Sequence, residues 1–221
     1  NSVSLGFQQA GRGNPDLNWE TSKMLNLGFD LSLWKKFDLI FEWYDRRTED
    51  LIYPQGSPLT LGSPGPQNIN IGDMKNTGID LNLNYKGQAA GGQLLWTAGV
   101  TFSKYKNEVT KLDASENTFV RSGGSRIGNI TYTTAGQPLS MFYGFIVDGL
   151  WANQAEIDAA LDVPGDAKPG RFKYRDINGD RIIDADDETF IGSPHPDFYY
   201  GLNFTAEYKG FDFTMYFQGV S

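Results

Sequence analysis

The chain has 221 residues, of which 39% are apolar and 14% aromatic, and it carries a formal net charge of −8 without a single cysteine. The missing cysteine excludes disulfides, thiol catalysis and cysteine-ligated zinc, and the acidic balance without a basic stripe argues against nucleic-acid binding. His195, the one histidine, leaves almost no material for a histidine-based catalytic or metal centre.

Strand-length segments that alternate apolar and polar residues recur along the chain. In residues 24–34, Leu25, Leu27 and Phe29 alternate with Asn26 and Gly28. Because side chains alternate across a strand, each such segment has one apolar and one polar face. The same alternation predicts further strands, at 37–49, 76–86, 93–106, 197–208 and 211–220. A short strand over 3–8 is also compatible with the pattern.

The connections between these strands alternate strictly in length. Short connections (34–36, 86–92 and 208–211) alternate with two long ones (50–75 and 107–196). Outer-membrane barrels have short periplasmic turns and long outer loops, and their strands cross lipid with about ten alternating residues. The chain also lacks the roughly 18 consecutive apolar residues of a membrane-spanning helix.

We therefore predict an all-β fold, namely an antiparallel transmembrane β-barrel sector with long extracellular loops. Residues 1–221 are expected to belong to one barrel domain, with 107–196 as a long extracellular loop that contains a helical turn or two at 154–161. The chain starts without methionine and ends directly after a strand, so we expect it to be an internal piece of a longer protein.

Two other protein classes fit parts of the pattern. A soluble calcium-dependent carbohydrate-binding or adhesin β-domain would use the same strands, and it requires their apolar faces to pack inside. A β-rich glycoside hydrolase would need a pair of carboxylates in a cleft, and the sequence does not mark such a pair.

An acidic loop at residues 176–187 has the ligand spacing of an EF-hand-type calcium loop. Positions 1, 3, 5, 7, 9 and 12 of that loop are Asp176, Asn178, Asp180, Ile182, Asp184 and Asp187, with Ile182 contributing its backbone carbonyl. Two residues depart from the pattern: Arg181 occupies the position where glycine makes the sharp turn, and Asp187 replaces the usual glutamate. The loop predicts a structural Ca²⁺ site, and an acidic surface turn without metal is the alternative.

The long loop also carries a group of aromatic residues that we consider for contact with substrate or with a lid protein. These are Phe142, Tyr143, Phe145 and Trp151. They could stack on sugar rings, or they could pack the loop against itself or a partner. A second group at the strand ends is expected to form an interfacial aromatic belt, and it consists of Trp43, Tyr44, Tyr199 and Tyr200.

Taken together, these segments resemble the C-terminal barrel half of SusC/RagA-type TonB-linked outer-membrane transporters. The resemblance covers nearly the whole chain in the family's usual order, and it is carried by residues 14–20, 44–51, 70–80, 136–138, 143–144, 148–151, 176–187, 191–194 and 200–201. Arg181 departs from the family, which usually has glycine at this position.

The resemblance implies a bacterial outer-membrane barrel of about 22 strands, surrounded by lipid and filled by a plug domain. It also implies a SusD-like surface lipoprotein, energy coupling through TonB by way of an N-terminal region outside this chain, and uptake of oligosaccharides or peptides. The role it implies is binding and gated passage, without enzymatic activity. Polar residues that face the lumen would include Asn82, Asn84, Asn203 and Thr205.

Overall fold

The computed structural model describes residues 13–55, 67–113, 130–160, 163, 165 and 167–221. The chain divides into two compact units. The first, here called the sheet unit, comprises residues 1–118, 135–137 and 196–221, and the second, the loop unit, comprises residues 119–134 and 138–195. The described part of the chain contains no helix with the length and apolar character needed to cross a membrane.

The described part of the sheet unit forms one antiparallel sheet of six strands. Their order in the sheet is β1-β2-β3-β4-β10-β11, and their bounds are β1 Thr21–Leu33, β2 Phe37–Gln55, β3 Gln67–Ala89, β4 Leu94–Leu112, β10 Tyr199–Tyr208 and β11 Phe211–Val220. All six strands predicted from the alternation are present, which confirms the all-β antiparallel prediction. The strand predicted over 3–8 lies outside the described residues.

Tight turns join the strand pairs where the sequence predicts short connections. Trp34 and Lys35 adopt left-handed backbone conformations between β1 and β2, with φ of 51° and 59°. Lys209 and Gly210 do the same between β10 and β11, with φ of 49° and 85°. Two central residues with positive φ match the right-handed twist of the strands that flank a hairpin turn, so these turns fix the register of both pairs.

Strands β2, β3 and β4 are longer than the alternation predicts. β2 continues to Gln55 and β3 begins at Gln67, so the predicted loop 50–75 is largely strand, and β4 continues to Leu112. In β2 the alternation breaks where the apolar residues Leu51 and Ile52 are adjacent, and in β3 the alternating residues 68–71 lie beyond the register shift between Asp73 and Met74, whereas the ladder of backbone hydrogen bonds continues. Register shifts interrupt the ladder after Thr48 and after Asp73.

Aromatic rings cover glycines on neighbouring strands at three places in the sheet. A Cβ atom at Gly87 would lie 2.2 Å from Trp96 Cε2, and one at Gly78 would lie 2.5 Å from Tyr44 Cζ. A Cβ atom at Gly219 would lie 2.4 Å from Tyr200 Cε1. Each glycine therefore makes room for a ring that a side chain would displace.

The loop unit is built from short elements around a small core. Its strands form two sheets, β5-β6-β9 and β7-β8. The bounds are β5 Thr131–Tyr132, β6 Met141–Gly144, β7 Val147–Leu150, α1 Gln154–Ala159, β8 Phe172–Tyr174 and β9 Thr189–Gly192. Asn153 caps α1, since its side chain accepts a hydrogen bond from the Glu156 amide, and this helix confirms the helical turns predicted at 154–161.

The predicted boundary of the long loop changes accordingly. Residues 107–112 belong to β4, and the segment that follows contains regular structure rather than one irregular stretch. The physical reason is that strands of two to four residues are too short to show a periodic pattern. Fully or nearly fully buried residues of the loop unit are Thr133, Trp151, Ile157 and Asp187.

Candidate functional site

One face of the six-stranded sheet is apolar and exposed. The exposed fractions of Leu27, Phe29 and Phe213 are 59%, 52% and 56%. The buried apolar residues of the described sheet unit, Ile71 and Val109, lie in β3 and β4 beyond the predicted strand ends. The exposed apolar face agrees with strands that face lipid, whereas a soluble β-domain would pack these strand faces inside.

The opposite face of the sheet carries amides, hydroxyls and carboxylates. Asn84 and Asn203 flank Gly99 across three strands, and the Asn84 amide donates to Asn82 Oδ1 at 2.8 Å. A Cβ atom at Gly99 would lie 2.1 Å from Asn203 Oδ1 and 2.4 Å from Asn84 Oδ1. Glycine therefore lets the two amides approach each other, and Thr205 lies on the same face because it is two residues from Asn203.

An open depression of about 310 Å³ lies along this polar face. Glu42 and Asp80, which both line it, are directly opposite each other in the register of β2 and β3. Like charges in this arrangement repel each other. The polar face is thus acidic at the level of this pair.

The predicted aromatic belt is only half correct. Neighbouring residues of a strand point to opposite faces. Only one residue of the pair Trp43 and Tyr44 can therefore face lipid, and the same holds for the pair Tyr199 and Tyr200. The register places Trp43 opposite Leu27 and Tyr200 opposite Phe102, on the apolar face. The Tyr199 ring instead stacks on the Tyr105 ring with centroids 6.3 Å apart.

In the loop unit, side chains of the acidic loop fold back onto its own backbone. Asp176 accepts from the Gly179 amide at 2.6 Å and from the Arg181 amide at 2.8 Å. Asn178 Oδ1 accepts from the Asp180 amide, and Asp180 Oδ1 accepts from the Ile182 amide, both at 2.8 Å. Arg181 is held at φ 70°, a conformation that favours glycine.

The buried Asp187 side chain joins the two ends of the acidic loop by hydrogen bonds. Its Oδ1 accepts from the Ile177 amide at 2.8 Å and its Oδ2 from the Asp184 amide at 3.1 Å, and the residue has no exposed surface. The Ile177 hydrogen bond is the largest of the effects that hold the pKa of Asp187 below its usual range, and the Asp184 and Asn178 amides add to it. This carboxylate therefore stays ionised and joins the two ends of the loop.

The predicted calcium ligands are brought into one loop, but they do not form a converged metal centre. Among the described residues, no group of three or more histidine, aspartate or glutamate side chains is placed to hold a metal ion. The ligand set Asp176, Asn178, Asp180, Ile182, Asp184 and Asp187 stays a prediction.

The aromatic residues predicted for substrate or lid contact do not form one patch. Tyr143 stacks on Tyr132 with centroids 4.6 Å apart, and Phe145 packs on Tyr174 at 5.2 Å. Trp151 is 1% exposed, whereas Phe142 is 38% exposed. The rings pack mainly against one another within the loop unit, and their contact with a substrate or lid stays a prediction.

Two ion pairs in the loop unit could not be read from the sequence. Arg175 Nε donates to both oxygens of Asp148, at 3.0 and 3.2 Å, and this guanidinium holds the pKa of Asp148 below its usual range. Lys173 Nζ contacts Glu156 Oε1 at 3.1 Å. The Ala152 amide and then Lys173 lower the pKa of Glu156. The partners are 27 and 17 residues apart, so no local motif marks them.

The fold defines a class of protein: a sector of an antiparallel β-sheet with one exposed apolar face, one polar face and a separate loop unit. The family described as "TonB dependent receptor-like, beta-barrel" matches residues 2–220. TonB-dependent receptor P3 of Formosa agariphila is 31% identical over 208 residues, which are 93% of this chain and 21% of that protein. TonB-dependent receptor SusC of Bacteroides thetaiotaomicron is 25% identical over 91% of this chain and 19% of that protein.

Solved structures give the same result for the fold. The RagAB peptide importer in its closed-closed state matches with a TM-score of 0.69 and 25% identity, over 94% of this chain and 22% of that chain. The structure of the RagAB peptide transporter matches with a TM-score of 0.76 and 24% identity, over 99% of this chain and 23% of that chain.

The chain belongs to the TonB-dependent receptor β-barrel family. It spans about a fifth of the length of the curated relatives it matches. The predicted relation to SusC/RagA-type barrels and the location in the bacterial outer membrane are thereby confirmed. The relatives are receptors and not enzymes, which confirms the prediction that this chain has no enzymatic role.

Proposed function

We propose that this chain forms a wall sector and outer loops of a TonB-dependent outer-membrane importer. The observation that carries the proposal is the two-faced sheet, in which exposed apolar side chains alternate with amides and hydroxyls. Lipid covers the first face, and the polar face, with Asn82, Asn84, Asn203 and Thr205, lines the lumen or contacts the plug. The loop unit lies outside the cell.

The partners of the whole protein follow from the same proposal. A SusD-like lipoprotein caps the barrel, TonB supplies energy through an N-terminal region, and the cargo is an oligosaccharide or a peptide. The similarity to SusC and to the RagAB peptide importer supports this arrangement. The aromatic residues of the long loop, Phe142, Tyr143, Phe145 and Trp151, are candidates for contact with cargo or lid.

Spin labels at matched positions of the full-length parent protein in membranes test the wall assignment. Labels at Leu27, Leu83 and Phe204 are expected to collide with oxygen, because they face lipid. Labels at their neighbours Asn26, Asn82 and Asn203 are expected to collide with a water-soluble relaxer or with neither reagent. Shielding of the first set from both reagents would place a protein core against this face and overturn the proposal.

We also propose that the acidic loop binds Ca²⁺ as a structural ion. Asp176, Asn178 and Asp180 have the alternate spacing of a calcium loop, and their side chains already turn toward the same stretch of backbone. Hard carboxylate and carbonyl oxygens are the ligands that Ca²⁺ takes. Its role is to stiffen the loop that Asp187 closes.

Calorimetric titration of the full-length protein with Ca²⁺ tests this second proposal. Asp180→Asn keeps the Oδ1 acceptor for the Ile182 amide and removes one charge, so it is expected to weaken Ca²⁺ binding about tenfold or more. Asp212→Asn, on β11 of the sheet unit, is the matched control and is expected to change nothing. Equal Ca²⁺ binding by both variants would show that the ion binds elsewhere.

A further inference from the structure

The loop unit contains a cavity of about 530 Å³, within the range of small-molecule sites. The side chains that line it include those of Trp151, Tyr174, the cationic Lys173, Arg175 and Arg181, and the acidic Asp148 and Asp176. Three cations against two carboxylates give this wall an excess of one positive charge, in a chain whose net charge is −8.

Trp151 contributes a buried hydrogen-bond donor that has no acceptor. Its backbone is satisfied by Arg171 and Gly170, and the Lys173 ammonium lies 4.8 Å from the centre of its ring. The indole N–H, however, has no partner among the described residues although the side chain is 99% buried. A buried donor without an acceptor is costly, and in a native structure it calls for a water or ligand.

Two of the three cations that line the cavity form ion pairs with carboxylates. Arg175 pairs with Asp148, and Lys173 pairs with Glu156. Asp176, the other acidic residue of the wall, uses both oxygens to accept backbone amides of its own loop. The Arg181 guanidinium forms no ion pair with any described residue, so the groups left unused in the wall are donors.

Arg181 also holds a backbone conformation that costs free energy. Its φ of 70° lies in the left-handed region, where a residue with a Cβ atom is strained. Such strain persists where the surrounding structure imposes it, and it is most frequent at functional sites. The position gives the cavity a guanidinium that glycine could not supply.

We propose that this cavity binds a carboxylate or sulfate group of an acidic oligosaccharide. The Arg181 guanidinium forms the two-pronged contact that suits a planar oxyanion, and the Trp151 N–H supplies a further donor as the wall adjusts to the ligand. The Tyr174 ring, which packs on Phe145, offers the apolar surface on which a sugar ring rests. This assignment names a cargo class and rests on the proposed import function.

Calorimetry on the full-length parent protein in detergent tests the assignment with two matched probe pairs. One pair is a glucuronate tetrasaccharide and its methyl ester, and the other is a sulfated galactose tetrasaccharide and its desulfated form. We expect the acidic member to bind at least tenfold more tightly in one or both pairs. The pair that shows the difference identifies carboxylate or sulfate as the group recognised.

Variants separate recognition from folding. Arg181→Gly suits the backbone conformation, so it should leave the loop folded and weaken binding of the acidic probe at least tenfold. The affinity of Arg181→Lys for the acidic probe should lie between those of the parent and Arg181→Gly, because lysine keeps the charge but cannot form the two-pronged contact. Trp151→Phe should weaken binding because it removes the indole N–H. Lys168→Ala, in the loop unit but outside the cavity wall, is the matched control and should bind as the parent does.

Equal binding of acidic and neutral probes, or an Arg181→Gly protein that binds as the parent does, would overturn the proposal. Tighter binding of an acidic peptide of equal charge than of either tetrasaccharide would overturn the choice of carrier. The import function is tested separately by the spin labels in the sheet, so a failure of one does not imply a failure of the other.

Discussion

Replacing Gly87 with alanine tests whether the aromatic rings on the sheet depend on the glycines beneath them. The new Cβ atom would lie 2.2 Å from Trp96 Cε2 and 2.3 Å from Cζ2, so the indole must move. Its ring is held between Tyr85, with centroids 5.1 Å apart, and Phe204, at 6.2 Å. Overpacking of this kind costs about 1–3 kcal/mol, which corresponds to a roughly 5- to 140-fold shift in the folding equilibrium.

The assay is urea unfolding of the full-length protein in lipid vesicles, followed by tryptophan fluorescence and by the gel shift between folded and unfolded barrel. The matched control is Gly144→Ala, because its new Cβ atom would meet only Ile191 Cδ1 at an ordinary 3.8 Å. Equal unfolding midpoints for the two variants would refute the reasoning, since the Trp96 indole would then have moved without lowering the free energy of unfolding.

Three further predictions concern the lipid face, the acidic loop and its pH dependence. Leu83→Arg should lower barrel stability by about 2–4 kcal/mol, as charges on a lipid face do, whereas Asn82→Arg on the opposite face should fold normally in the same gel-shift assay. Asp187→Asn should make the loop 176–187 more sensitive to protease at neutral pH, because the ionised carboxylate no longer accepts the Ile177 and Asp184 amides. The pKa of Asp187 is lower in the folded protein than its ordinary 3.8, so its contribution to stability is present above that value and is lost as pH falls through the folded pKa. Pepsin should therefore begin to cut the parent loop only below pH 3.8, and cleavage that begins above this pH would contradict the assignment.

The alternation of residues predicts the sheet well because lipid imposes it directly. Leu27 and Phe29 must be apolar to face hydrocarbon, and their neighbours are free to be polar, so the period of two is visible in the sequence. Toward Gln67 and Leu112 the strands continue through register shifts, so a single alternating pattern no longer runs from one end of the strand to the other.

The cavity of the loop unit could not be predicted from local patterns. Its pairs Asp148–Arg175 and Glu156–Lys173 join residues far apart in the chain. Arg181 was visible in the sequence, but only as a defect in a calcium loop, because its side chain gains a role only when the fold places it in the cavity wall. The buried Trp151 belonged to an aromatic group whose members the structure separates.

The length of the central strands has a mechanical consequence. β2, β3 and β4 contain 19, 23 and 19 residues, about twice the 9–11 that a tilted strand needs to cross the hydrocarbon layer. Roughly half of each strand thus extends beyond the hydrocarbon layer, with β2 and β3 paired to Gln55 and Gln67 and β4 paired to β3 as far as Gly72. Proteases need an unpaired, extended substrate chain, so this paired extension should resist digestion on intact cells.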